Sequence, residues 1–117
     1  MNNINHLHDV WETESFRLGR TAEKYLPKRR ARKVKMPAMP TGPYNAQWLE
    51  NVSDIYDRLH PVFAQHADRP HMAEKSLNES FARVAKAHSF LSEEEQLEVL
   101  SPEKQGLLTR LKNAVKR

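Results

Sequence analysis

The chain predicts an all-α fold. It reads as a small helical bundle over roughly residues 44–117, with an N-terminal amphipathic helix over residues 1–26 and an extended, basic, proline-rich strap over residues 27–43 between them. Three observations carry this. Apolar residues recur at three- and four-residue steps through most of the chain, the spacing that lines one face of a helix. No segment alternates apolar and polar residues over the length of a strand. Helix-start residues stand directly ahead of the periodic stretches: Asn45, Pro70, Ser92 with Glu95, and Ser101 with Pro102.

Residues 3–26 predict one helix or two. Ile4, Leu7, Trp11, Leu18, Ala22 and Tyr25 mark an apolar stripe, with Glu14 as a polar break in it. Asn2 or Asn3 suits the N-terminal cap. Gly19 is the weak point, because a glycine inside a helix costs about 1 kcal/mol relative to alanine, and Thr21 suits a fresh start. Pro27 ends the element by disfavouring helix at Leu26. One stripe on one helix cannot bury itself. It needs the C-terminal helices, a second copy of the chain or a partner.

Residues 27–43 are expected to be extended, since Pro37, Pro40 and Pro43 with Gly42 suit a polyproline or turn-rich path. Met36 and Met39 alternate with those prolines, and methionine adapts to irregular apolar grooves.

The helical signal is strongest over residues 45–60, where Trp48, Leu49, Val52, Ile55, Tyr56 and Leu59 form an unbroken stripe behind an Asn45 cap. Pro61 is expected to open a new turn in which Val62 and Phe63 close the core. Residues 70–91 predict another helix, begun by Pro70, with Leu77, Phe81, Val84, His88 and Leu91 along its seam. Ser92 and Glu95 fit a capping box ahead of a short helix over residues 93–100. A last helix is expected after Ser101, with Leu107, Leu108, Leu111 and Val115 on one face. Lys112, Lys116 and Arg117 suit the negative end of its dipole.

A length of 117 residues fits one domain, and 38% hydrophobic against 29% charged residues predicts a modest core with part of the chain outside it. The net charge of +4 is a local feature: residues 27–43 carry six cations and no acid, and the rest of the chain sums to −2. An electrostatic partner should therefore meet the protein at one place. The chain has no cysteine, which excludes disulfides, thiolate metal sites and thiol chemistry. No apolar run approaches a membrane span, and Asp9, Glu12 and Glu14 are unlike an acid-poor import presequence. A cytoplasmic location is expected, or a nuclear one in a eukaryotic host, with no membrane partner.

The basic run at residues 28–35 is the main functional signal. Lys28, Arg29, Arg30, Arg32, Lys33 and Lys35 are cationic. Such a cluster gains affinity for phosphates by releasing their counterions, and arginine adds forked hydrogen bonds. Arg17, Arg20 and Lys24, spaced by three and four residues just upstream, are expected to prolong the basic surface along the first helix. The run has no interleaved aromatics, so no base-stacking platform is indicated, and nothing in it separates DNA from RNA.

Other chemistry is sparse. His6 and His8 are two residues apart, and His66 and His71 five apart with Asp68 between them. Neither spacing converges on a metal, so no metal or cofactor is expected. His88 lies on an apolar seam and should be a hydrogen-bonded core histidine. There is no nucleophile elbow, no HExxH and no glycine-rich phosphate loop. Glu93, Glu94 and Glu95 suit a helix N-terminus for dipole reasons. Trp48, Tyr56, Phe63, Phe81 and Phe90 are expected in the core.

The expected function is non-enzymatic: an accessory or regulatory protein that binds nucleic acid or a nucleoprotein complex through residues 28–35. The alternative is an adaptor or inhibitor that wraps a partner protein with its first helix and strap. There the basic run would pair with an acidic surface, and Trp11, Leu18 and Tyr25 would be the partner contacts. A homodimer through the first helix would cover the same stripe.

Overall fold

The computed structural model describes residues 3–97, and they form an all-α fold in which α1 (Asn3–Tyr25), α3 (Ala46–His66) and α4 (Pro70–Ser89) are the long elements. Two single turns complete it: α2 (Lys28–Ala31) and α5 (Glu93–Gln96). No strand occurs among the described residues. The last predicted helix, with its leucines and basic end, lies outside them.

α4 is the central helix, packed on α1 along one side and on α3 along the other. Its buried face is accordingly broad: Ala73, Leu77, Ser80, Val84, Ala87 and His88 are all covered. The three residues between α3 and α4 make those helices antiparallel. The N-terminus of α1 lies at the far end of α4, where the Asn3 side-chain amide donates to the Phe90 carbonyl at 3.0 Å. At the other end, the Asp68 backbone N–H donates to the Tyr25 carbonyl at 3.0 Å. α1 and α3 therefore run parallel, and the chain between them must return along the bundle.

α1 is one unbroken helix across Gly19, and its stripe is buried in the same core as α3 and α4. Trp11, Leu18 and Tyr25, expected as partner contacts, pack inside this core. The face expected to dimerise or to meet a partner is used within the chain, because α4 offers a complementary apolar face.

Glu14 is no break in the stripe: it is 2% exposed. Its carboxylate accepts two hydrogen bonds from Arg83 of α4, Nε to Oε2 and Nη2 to Oε1, each 2.9 Å, and a third from Arg17 Nη1 at 3.2 Å. The forked geometry satisfies a buried charge that would otherwise be costly, and it holds Arg83 more firmly protonated.

α3 runs straight through Pro61 instead of restarting there. Pro61 lies on the exposed side of the helix, while Val62 and Phe63 hold the helix to the core. Asn45 caps α3 as expected, its Oδ1 accepting from the Trp48 N–H at 3.2 Å. Leu49, assigned to the stripe, is 36% exposed, and Phe90, assigned to the core, is 56% exposed. Leu49 flanks a buried line that follows Trp48, Val52, Ile55, Leu59 and Phe63. Phe90 sits just past the end of α4, beyond its buried face.

The α5 capping box forms, with the Glu95 N–H donating to Ser92 Oγ at 3.2 Å and the Ser92 N–H to Glu95 Oε1 at 3.0 Å. The same carboxylate caps α1, accepting from the Asn3 N–H at 3.0 Å and from the Asn3 amide at 3.1 Å. These bonds, first the one from the Ser92 backbone and then the one from the Asn3 side chain, hold the Glu95 carboxyl below the usual glutamate range.

Two outcomes follow. Arg83→Met leaves Glu14 buried with one partner and should cost about 3 kcal/mol, whereas Glu14→Leu combined with Arg83→Met should cost much less. Urea unfolding followed by circular dichroism measures both. Because the folded Glu95 carboxyl titrates below its unfolded value, its contribution is complete above the unfolded pKa and disappears as pH falls through the folded one. Glu95→Gln should therefore lower the unfolding midpoint at neutral pH and lose less stability on acidification than the parent chain.

Candidate functional site

Pro27 closes α1 and starts the arm. Its carbonyl accepts from the N–H groups of Arg30 and Ala31, both at 2.9 Å, which winds residues 28–31 into one helical turn. The expectation of an extended arm fails here because no proline lies between residues 28 and 36, so nothing prevents the turn. Extension begins at Val34, three residues ahead of Pro37.

Two apolar residues three apart, Ala31 and Val34, tuck against the core. The six cations around them are displaced outward. Lys28, Arg29, Arg30, Arg32, Lys33 and Lys35 are all exposed. The ion pairs among the described residues involve Arg17, Arg83 and His60, and none includes an arm residue.

Two grooves border the arm. One, of about 410 Å³, is lined by Glu23 of α1 and Leu26 just past its end, with Lys28, Ala31 and Arg32. The other, of about 290 Å³, lies against α3 and is lined by Arg30, Lys33, Val34, Lys35, Arg58, Leu59 and Val62.

Arg17, Arg20 and Lys24 do not simply lengthen this surface. Arg17 and Arg20 line a different groove, of about 240 Å³, between α1 and α4, together with Arg83 and Glu79. Arg17 is engaged by Glu14. The Arg20 guanidinium lies over the Phe16 ring at 5.0 Å, and the Lys24 ammonium over Tyr25 at 5.4 Å.

The rest of the strap, and Tyr44 directly after it, are fastened by ring nitrogens from all three long helices. Trp11 Nε1 of α1 donates to the Pro37 carbonyl at 3.1 Å, and Trp48 Nε1 of α3 donates to the Pro40 carbonyl at 2.8 Å. His88 Nε2 of α4 lies 2.8 Å from the Tyr44 carbonyl. A carbonyl only accepts, so Nε2 carries the proton. His88 also stacks on Trp48, with centroids 5.1 Å apart and planes 9° off parallel. It is a core histidine, as its seam position implied. Met36 and Met39 pack against the core beside these bonds.

Among the described residues, no three His, Asp or Glu side chains gather to hold a metal ion, and no helix is long and apolar enough to cross a membrane. Arg58 carries no signal in the sequence. It occupies the wet face of a well-formed helix, and only the fold brings it beside the arm.

Comparison of the chain with protein-family models, curated proteins and solved structures gives no match.

Val34→Ala should loosen the arm's attachment, costing about 1–2 kcal/mol and quickening tryptic cleavage within residues 28–35, while the helical circular dichroism is retained.

Proposed function

We propose that the protein is a non-enzymatic accessory or regulatory factor that binds nucleic acid, or a nucleoprotein complex, through the basic arm at residues 28–35. One observation carries the reading: six cationic side chains lie together on the surface with no carboxylate paired to any of them among the described residues. A patch of unneutralised like charge attracts a polyanion and displaces its condensed counterions, which makes binding strong at low salt and weak at high salt. Lys28, Arg29, Arg30, Arg32, Lys33 and Lys35 supply the phosphate contacts, with Arg20 and Lys24 as additional exposed cations on α1. Phosphate contacts position a protein without reading sequence, so little sequence preference is expected.

Replacing Arg29, Arg30, Arg32 and Lys33 by alanine should weaken binding to a labelled oligonucleotide and flatten its log–log salt dependence by about one unit for each phosphate that is no longer neutralised. The helical circular dichroism should be unchanged. Fluorescence anisotropy over a salt series measures the effect, and affinity indifferent to the four substitutions would reject the arm as the site.

A further inference from the structure

The arm does not act alone in the groove it shares with α3. Three of the cations there, Arg30, Lys33 and Lys35, come from the arm, and the fourth, Arg58, faces them from α3. Between them lies a narrow aliphatic floor made by half-buried Val62 and the exposed edges of Val34 and Leu59, which are otherwise buried in the core, and no carboxylate among the described residues lines the groove. The neighbouring groove, by contrast, includes Glu23.

We infer that this groove takes single-stranded in preference to duplex nucleic acid, with Arg58 as a further contact residue. The inference rests on the reading of residues 28–35 as a polyanion site, and it names the form of the ligand. Phosphates need only the cations. An apolar floor set between cations gains nothing from a phosphate, and it leaves water only when an apolar face covers it. A duplex keeps its base faces stacked inside and presents phosphate and sugar outward, so its backbone would span the floor and leave it wet. A single strand carries free base faces, which pack on aliphatic side chains and on guanidinium planes such as those of Arg30 and Arg58. Charge selects a polyanion, and the floor selects one whose bases are free. Aromatic rings are absent from the lining among the described residues, so each base contributes less than on an aromatic platform, and discrimination between bases should be slight.

The test uses the full chain and two labelled probes, a mixed-sequence DNA strand free of self-complementarity and the duplex made from it, followed by fluorescence anisotropy at low salt. The strand is expected to bind several-fold more tightly than the duplex. Arg58→Ala, which places a good helix former at an exposed helical position, should weaken strand binding several-fold and lower the salt slope by about one unit. Lys75→Ala removes the same charge from an exposed position on α4 and should have little effect. Equal affinity for strand and duplex, or an Arg58→Ala effect no larger than that of Lys75→Ala, would overturn the inference. The arm would still stand as a polyanion site if the four arm alanines weakened both probes. Failure of both probes to bind would remove both readings. Displacement of the strand by poly-glutamate at equal charge concentration would overturn the inference in favour of an acidic protein.

Discussion

The architecture depends on a match between donors and acceptors at the strap. Pro37, Pro40 and Pro43 keep their carbonyls but lack an N–H, so this stretch of the strap cannot satisfy itself by continuing a helix or taking an inner place in a sheet. An indole has the opposite deficit, with one donor and no acceptor. Trp11, Trp48 and His88, one from each long helix, point their ring N–H groups at Pro37, Pro40 and Tyr44. Each bond adds only about 1 kcal/mol net, but removing one partner strands a polar group at a cost of about 1–3 kcal/mol. The rings that receive the strap also touch one another: Trp11 meets Trp48 edge-on at 6.3 Å, and Tyr44 meets Trp48 at 5.7 Å. The crossover between two parallel helices thus becomes one wall of the core.

Much of this fold is legible in the residue pattern, and the exceptions have a common cause. The helix beginnings at Asn45 and Pro70, the Ser92–Glu95 box and the core position of His88 all follow from local chemistry. Glu14 misleads because periodicity reports polarity and cannot see Arg83 sixty-nine residues away. Pro61 misleads because the cost of a proline depends on which side of the helix it faces. The stripe of Trp11, Leu18 and Tyr25 is open to three covers, and only tertiary packing selects α4. The arm's cations are legible one by one. The groove is not, because Arg58, Leu59 and Val62 become its opposite wall only after the chain has returned along the bundle.

Charge is divided in a consistent way. The one buried carboxylate, among the described residues, is answered by a forked arginine and a second arginine within the helical core. At the arm, residues 27–43 contain no acid and the adjoining α1 surface offers only Glu23 to the first groove. The inside of the protein is neutralised by its own side chains, and this outer strip is left to be neutralised by solvent ions.

Ala31 and Val34 give the strip a further property. A loose basic tail must surrender many backbone conformations each time it settles on a ligand, and that loss subtracts from its affinity. Here the backbone is pinned by a helical turn on one side and by Val34 on the other, so most of that freedom is already gone when the protein folds. Any anion reaching these cations meets a backbone of settled course, and the ordering that remains is that of the exposed lysine and arginine side chains.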